Sequence, residues 1–233
     1  MSRFLCVAAL AAWPVAPVVG HDLSPEEIRR IAVDAILADP GLMMDLVEAA
    51  KDDMPYATPA LSLTADPNAP EAGNPEGDVT LVKFSDYNCP FCRRADREMS
   101  RLVARDPNLR VVYREWPVLG AGSVFAARAA LAAREQDLYP EIHRALLASR
   151  GRLNEEKVMA VAAEVGLDVA RLRRDMEDAS VQSHIDASNE MAGALGLTGT
   201  PWFVLGDELI PGVVDAAELH RLVRAERAVA QVQ

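Results

Sequence analysis

Two cysteines separated by two residues, Cys89 and Cys92, are the side chains best suited to chemistry in this 233-residue sequence. They enclose Pro90 and Phe91. Cysteines in such C-x-x-C motifs have pKa values of roughly 3.5 to 7.5, against about 8.5 for a free thiol. A lowered pKa keeps the thiol ionised, and the thiolate is the form that attacks a disulfide. The motif therefore predicts thiol–disulfide exchange, with Cys89 as nucleophile and Cys92 as the thiol that resolves its mixed disulfide.

The segments on either side of the motif predict a strand that leads into a helix. Residues 79–84 are apolar and β-branched, which is typical of a buried strand. Residues 93–105 carry helix formers with apolar Met99, Leu102 and Val103 on one side. Cys89 is thereby predicted at a helix N-terminus, where unpaired backbone N–H groups and the helix dipole stabilise a thiolate.

A zinc site and a structural disulfide are the two alternatives for a C-x-x-C pair. Zinc needs four ligands, usually with a second Cys or His pair, and the sequence has no second cysteine pair. The histidines are isolated from one another: His21, His143, His184 and His220. A disulfide that closes so short a loop removes little chain entropy. Redox chemistry is favoured over both, and we predict no cofactor and no metal site.

The first twenty residues are typical of a cleaved signal peptide. Arg3 gives a positive start, residues 4–12 are apolar, and small residues precede a plausible cleavage point before His21. The third cysteine, Cys6, would leave with this segment. We therefore predict export to the periplasm, an oxidising compartment in which the remaining vicinal pair can cycle. An uncleaved anchor is the alternative, although Pro14 and Pro17 interrupt the run.

The composition limits the partners of the chain. Half of the residues are hydrophobic, which is enough for a core, and the formal net charge is −11. No basic stripe of the kind that binds nucleic acid is present, so we expect no nucleic-acid partner. We expect no stable membrane insertion either, since the one apolar run is short.

Two amphipathic helices and a proline-rich stretch precede the main domain. Ser24 and Glu27 form a capping box at a helix start, with Pro25 in the first position. A second helix is predicted at 42–51. We assign 21–53 to a helical oligomerisation segment and 54–77 to a linker in which residues 61–63 make a short edge strand. The two helices are too small to bury a core alone, so they pack on the main domain or self-associate.

The remainder, residues 78–233, predicts one α/β domain. A second strand is expected at 109–114, and a helical block at about 123–195 follows, with Ser123 as a possible cap. A hairpin is expected at 202–210, with a terminal helix opened by Asp215 and Glu218. Asn154 and Asp168 are predicted helix N-caps. A β-α-β half and a β-β-α half around a helical insertion would close one mixed sheet.

This order of elements, with the motif, resembles a thioredoxin fold of the DsbA type. Besides the motif and the helical insertion, the resemblance rests on Thr200-Pro201, which stands directly before the strand at Trp202, about a hundred residues after the motif. The resemblance implies a cis Pro201 that faces the cysteines and leaves nearby backbone free to pair with substrate. It implies catalytic roles for Cys89, Cys92, Thr200 and Pro201. It also implies substrate contacts from Pro90, Phe91 and Thr200.

The N-terminal part resembles the ScsC-like branch of the DsbA family, which carries an N-terminal oligomerisation segment. Some of those proteins are trimeric disulfide isomerases linked to copper tolerance. Two departures stand out. Pro90-Phe91 occupies the place where that branch often has Gly-Tyr. Lys83 occupies the place of a buried glutamate in DsbA, and it favours the Cys89 thiolate if it points inward or is solvated if it does not.

These features predict an exported isomerase or reductase that acts on cysteine-containing exported proteins. We expect a homo-oligomer, with a trimer favoured, and a membrane or soluble redox partner. A monomeric DsbA-like dithiol oxidase is the second hypothesis. A third is a copper-tolerance protein that binds Cu(I) through the two thiolates, which are soft ligands. A relative of glutathione transferases or 2-hydroxychromene-carboxylate isomerases is disfavoured by the intact cysteine pair.

Overall fold

The structure is a computed structural model that divides the chain into two compact units, residues 1–54 and 55–233. It describes Ser24, Glu27, Arg30, Asp34, Leu63, Thr64, Asp66 and residues 69–230. The predicted export segment at 1–20 and the predicted second helix at 42–51 lie outside the described residues. In the first unit the capping box is present, because the Ser24 N–H donates to Glu27 Oε2 over 2.9 Å. Glu27, Arg30 and Asp34 are helical, as the sequence predicts.

The second unit alternates strands and helices around one sheet. Its strands are β1 (Glu71–Gly73), β2 (Val79–Ser85), β3 (Leu109–Glu115), β4 (Trp202–Leu205) and β5 (Glu208–Pro211). Its helices are α1 (Pro90–Val103), α2 (Ala121–Ala132), α3 (Tyr139–Ala148), α4 (Glu155–Glu164), α5 (Val169–Asp175), α6 (Ala179–Ala194) and α7 (Ala216–Ala230), with a 3₁₀ turn at Ala133–Gln136. None of the described helices is both long and apolar enough to span a membrane.

The sheet has the order β1-β3-β2-β4-β5. Strands β2 and β3 are parallel, joined through α1, while β1, β4 and β5 pair antiparallel with their neighbours. Leu81 stands opposite Val111 on one side and Leu205 on the other. All three belong to the larger apolar cluster, and the alternate residues Val82 and Val112 belong to a smaller cluster. The sheet therefore carries a core on both faces, as the apolar β2 sequence requires.

The helices α2 to α6 form the predicted insertion between the two halves of the domain. Asn154 and Asp168 cap α4 and α5 by accepting from the N–H of Lys157 and Arg171, as predicted. The last helix begins where Asp215 accepts from the N–H of Glu218 over 2.8 Å. This arrangement is the thioredoxin fold with a helical insertion that the sequence predicts.

Part of the segment predicted as a linker is folded into the domain, which corrects the boundary at residue 78. Strand β1 pairs with β3, and the Tyr113 N–H donates to the carbonyl of Pro70 over 2.9 Å. Leu63 is helical and buried, so the predicted edge strand at 61–63 is wrong at that residue. Proline is common in linkers and at sheet edges alike, and only the pairing with β3 distinguishes them.

Gly77, in the turn between β1 and β2, gives a test of this packing. A Cβ there would lie 2.5 Å from the carbonyl oxygen of Asn108 and 2.6 Å from the Arg110 nitrogen. Since backbone atoms cannot yield cheaply, we expect Gly77→Ala to lower the free energy of unfolding by about 1–3 kcal/mol. Urea denaturation measures this. The control is Gly193→Ala in α6, where a Cβ meets nothing within 4 Å and stability should stay equal or rise. Equal stability of Gly77→Ala and wild type would contradict the turn.

Candidate active site

Cys89 is the residue that precedes the first turn of α1. The helix begins at Pro90, whose fixed φ and missing N–H are compatible with a first helical position. The Cys89 N–H donates to the carbonyl of Asp86 over 3.1 Å, which closes the turn after β2. Both cysteines are free thiols. The strand-to-helix placement that the sequence predicts is confirmed.

Hydrogen bonds lower the pKa of Cys89 to about 5. The largest contribution is the hydrogen bond from the Cys92 thiol, which outweighs the opposing effect of burial. Thr200 and the backbone N–H groups of Phe91 and Cys92 add to it. Cys89 is only 4% exposed, so solvent reaches little of a side chain whose sulfur is ionised at neutral pH.

Cys92 has the opposite character. It is fully buried, and burial raises the pKa of its thiol well above the usual range. The hydrogen bond to Cys89 raises it further, because that bond needs the Cys92 proton. The Asp86 N–H points at the Cys92 sulfur from 3.5 Å. The site thus pairs one acidic thiol with one thiol that holds its proton.

Thr200, which precedes Pro201, lies against Cys89 from the other half of the domain. Their peptide bond is cis, as predicted. The Cys89 sulfur lies 3.3 Å from the carbonyl oxygen of Thr200. The carbonyl of Pro201 accepts from the Gly212 N–H over 2.9 Å, which ties the loop to the end of the hairpin. The structure therefore brings together Cys89, Cys92 and Thr200.

Exposed apolar side chains lie in the motif and near the residues bonded to the loop before it, and we call Phe91, Val118, Leu119 and Val124 the apolar rim. Phe91 is 59% exposed in the motif itself, beside the exposed Pro90. The Leu119 N–H donates to Asp86 Oδ2 over 2.9 Å, and Val124 follows Ser123, which accepts from the Asn88 side chain. Large apolar residues exposed in a group are typical of a surface that binds another molecule.

Two residues that the sequence analysis missed hold the loop before the motif. Asp86 is buried and accepts from the N–H of Asn88 through one oxygen and from that of Leu119 through the other. Asn88 donates to Ser123 Oγ and accepts from the Leu153 N–H over 2.7 Å. Ser123 is therefore a partner of the active-site loop and not a helix cap. The position of Asp86, three residues before the motif, is visible in the sequence. Its role could not be predicted, because its partner Leu119 and the partners of Asn88 are distant in sequence.

Lys83 points inward and is completely buried, so the alternative of a solvated lysine is wrong. Its Nζ lies 2.6 Å from Asp96 Oδ1, and His143 Nε2 contacts the same oxygen at 3.2 Å. Burial opposes ionisation of Asp96, but the bonds from His143 and Lys83 hold its pKa well below the usual range. The Lys83 ammonium thus binds Asp96, and the largest contributions to the lowered pKa of Cys89 come from Cys92, Thr200 and the backbone of the motif.

The buried polar network continues from His143 to β3. His143 Nδ1 lies 2.7 Å from the hydroxyl of Tyr87, and that hydroxyl donates to Glu115 Oε1 over 2.6 Å. Tyr139 donates to the same Glu115 oxygen over 2.7 Å. Burial, with the Glu115 carboxylate nearby, raises the pKa of Tyr87 well above its usual value. Tyr87 precedes the motif by two residues, so this network supports the loop that carries Cys89.

The described residues contain no group of three or more His, Cys, Asp or Glu side chains placed to hold a metal ion.

A family model described as a DSBA-like thioredoxin domain matches residues 80–224. That range holds both cysteines, the helical insertion and the cis Thr200–Pro201 bond. The chain belongs to the DSBA-like thioredoxin domain family. Membership in the DSBA-like family confirms the resemblance on which the fold prediction rests.

Solved structures place this DSBA-like chain among thioredoxin-fold proteins. A thioredoxin-like oxidoreductase from Silicibacter pomeroyi is 56% identical, with a TM-score of 0.71, and covers 72% of this chain and 96% of its own. The catalytic domain of Proteus mirabilis ScsC is 25% identical, with a TM-score of 0.66, and covers 78% of this chain and 98% of its own. The second match supports the ScsC-like assignment.

Curated relatives include proteins of two kinds. A thiol:disulfide interchange protein DsbA from Bordetella parapertussis is 28% identical over 144 residues, which are 60% of this chain and 68% of that protein. A Na(+)/H(+) antiporter NhaA 1 from Salinispora arenicola is 31% identical over 146 residues, which are 61% of this chain. The chain spans about a quarter of the length of the antiporter relatives that it matches.

The acidity of Cys89 can be titrated through the ultraviolet absorbance of its thiolate in the reduced protein. We expect a midpoint at about 5 in the wild type, with Cys89 ionised above this pH and protonated below it. Cys92→Ala removes the largest stabilising hydrogen bond, so the midpoint should rise. Cys89→Ser should abolish the transition. A wild-type midpoint near about 8.5, the value of a free thiol, would contradict the geometry.

The Lys83–Asp96 pair can be tested through stability. Lys83→Met leaves a buried carboxylate without its cation, so we expect a loss of about 3–5 kcal/mol in the free energy of unfolding. Lys83→Met/Asp96→Asn removes both charges and keeps an amide near His143, so it should be more stable than the single variant. Because the pKa of Asp96 is lowered, the wild-type advantage should fade as pH falls through it. Chemical denaturation at several pH values measures this. A single variant as stable as wild type would refute the pair.

Proposed function

We propose that this protein is an exported thiol–disulfide oxidoreductase that works mainly as a disulfide isomerase or reductase on other exported proteins. The observation that carries the proposal is the contrast between the two thiols. Cys89 has a pKa of about 5, while that of Cys92 is raised far above its usual value. A thiolate attacks a disulfide and a thiol does not, so the two sulfurs have different tasks.

The reaction begins with the reduced enzyme. The Cys89 thiolate attacks one sulfur of a substrate disulfide, a mixed disulfide forms, and the other substrate sulfur leaves as a thiolate. In isomerisation, that thiolate attacks a different disulfide of the substrate, and a substrate thiolate finally displaces Cys89. In reduction, Cys92 loses its proton and attacks the Cys89 sulfur, which breaks the mixed disulfide and releases the second substrate sulfur as a thiolate. Two electrons then pass to the substrate, and the enzyme retains a Cys89–Cys92 disulfide.

The buried Cys92 favours isomerisation over immediate release. Its pKa is raised first of all by burial, so few molecules carry a Cys92 thiolate at neutral pH. The mixed disulfide on Cys89 therefore persists while the substrate rearranges. We assign Pro90, Phe91 and the Thr200 backbone to substrate contact, because the first two are exposed beside the motif and Thr200 lies at the sulfur.

Export and assembly complete the proposal. We propose that residues 1–20 direct the chain to the periplasm and that residues 21–53 join copies of it, with a trimer favoured. The capping box at Ser24 and Glu27 supports a helix at the start of the second segment. Several active sites around one substrate would assist reshuffling.

A monomeric dithiol oxidase is the second candidate, and the same acidic thiol favours it. A stabilised Cys89 thiolate makes the reduced form more stable and Cys89 a better leaving group, both of which promote transfer of the disulfide to substrates. The two candidates differ in the form of the enzyme that reacts with the substrate. An isomerase or reductase reacts as the dithiol, and an oxidase reacts as the Cys89–Cys92 disulfide.

Two ribonuclease assays and one deletion separate the candidates. We expect the full chain to reactivate scrambled ribonuclease faster than a variant that lacks residues 22–53. The variant should oxidise reduced ribonuclease at least as fast as the full chain. Light scattering should give the mass of several chains for the full chain and the mass of one chain for the deletion variant. Cys89→Ser is the inactive control in both assays. If the full chain is already a monomer and oxidation is its only activity, the oxidase replaces the isomerase.

A further inference from the structure

A groove with basic walls lies between α1 and α3. It has a volume of about 390 Å³, and four of its eight lining residues are arginines: Arg93, Arg97, Arg101 and Arg144. The first three follow one another at intervals of four residues, so they lie along one face of α1. Arg144 faces them from α3.

Three of these arginines retain donors for another molecule. Arg97 is exposed and donates to the carbonyl of Arg93, and the described residues offer it no carboxylate. Arg101 and Arg144 are 60% and 68% exposed and pair with Glu98 and Glu141 within their own helices. Such surface pairs contribute little stability and exchange readily. An incoming carboxylate can therefore bind these side chains at small cost.

The acidic residue of the groove is already neutralised. Asp96 lines the groove, but its carboxylate binds the buried Lys83 ammonium and His143. Between residues 90 and 105, five arginines outnumber two acidic residues, although the whole chain carries a net charge of −11. The groove is thus positively charged, although the chain as a whole is negatively charged.

A second, mostly apolar cavity of about 320 Å³ shares Asp96, Ser100 and Arg144 with the groove. Met99 and Tyr113 are among the residues that line it. The combined space is large enough for several side chains of a peptide. An anionic segment that also carries an apolar side chain complements both parts.

The groove is connected to the active site through Arg93. This residue follows Cys92 directly, and its guanidinium donates to the carbonyl of Tyr87 over 3.4 Å and to that of Gly151 over 3.0 Å. Its Nε is buried without a hydrogen-bond partner. A polypeptide attached to Cys89 as a mixed disulfide has a short path from the motif into this groove along α1.

We propose that the groove between α1 and α3 binds acidic segments that flank the reactive cysteine of a substrate protein. The proposal rests on the thiol–disulfide exchange proposed above and adds the class of substrate. Electrostatic attraction of this kind raises association rates by about 10-fold or more. The net charge of −11 alone predicts the reverse preference, for basic substrates.

Two synthetic peptides with the same internal disulfide test the groove. They differ only beside one cysteine, where the first carries glutamates and the second lysines. The reduced wild-type enzyme is mixed with each, and the rate of peptide reduction is followed by chromatography, with the Cys89–Cys92 disulfide as co-product. We expect the glutamate peptide to react about 10-fold faster at about 0.01 M salt and the ratio to approach one at about 1 M, where screening is strong. An equal or inverted ratio at low salt overturns the proposal.

Two triple variants locate the effect. Arg97→Gln/Arg101→Gln/Arg144→Gln should remove most of the preference for the glutamate peptide. The control, Arg173→Gln/Arg221→Gln/Arg224→Gln, removes the same charge from exposed sites elsewhere, two of them also paired with glutamates. It should keep the wild-type ratio, and an equal loss in both variants would overturn the groove. Uncharged hydroxyethyl disulfide separates the proposals: no reaction with wild type refutes the exchange activity, whereas reaction without peptide preference refutes the groove alone.

Discussion

The hydrogen bond from the Cys92 thiol to the Cys89 sulfur is the interaction on which the chemistry of the site depends. It lowers the pKa of one thiol and raises that of the other at the same time. It exists because α1 begins at Pro90, so that Cys89 precedes the helix and Cys92 lies within its first turn. A motif of the same composition inside a loop would leave both thiols near their ordinary acidity.

The interior of the domain also holds two buried ion pairs, one on each face of the sheet. Lys83 and Arg114 are both completely buried, and each is bound to an aspartate, Asp96 and Asp66. Buried ion pairs add little net stability, but they are costly to disrupt. The first pair joins β2 to α1, and the second joins β3 to the segment that precedes β1. The loop that carries the cysteines follows β2, so the first pair holds the strand from which that loop starts.

The sequence analysis was most successful where the signal is local. The limits of β2, the hairpin, the helix caps and the motif follow from residue patterns over a few positions, and the cis Pro201 follows from the family resemblance. It failed where the deciding partner is far away. Whether Lys83 is solvated depends on Asp96 and His143, and whether the stretch around Pro70 is a linker depends on β3. Neither the contacts of Lys83 nor the pairing with β3 can be recognised from the residues next to them in the sequence.

Asn88 joins the helical insertion to the loop that carries the nucleophile. Its side chain is bonded to Ser123 at the start of α2 and to both backbone groups of Leu153 before α4, while its own N–H is held by Asp86. One residue next to the nucleophile therefore joins the insertion to the turn after β2. Arg93, through Gly151, and Tyr87, through His143, join the same two parts of the domain, so a shift of these helices would change the surroundings of the Cys89 sulfur.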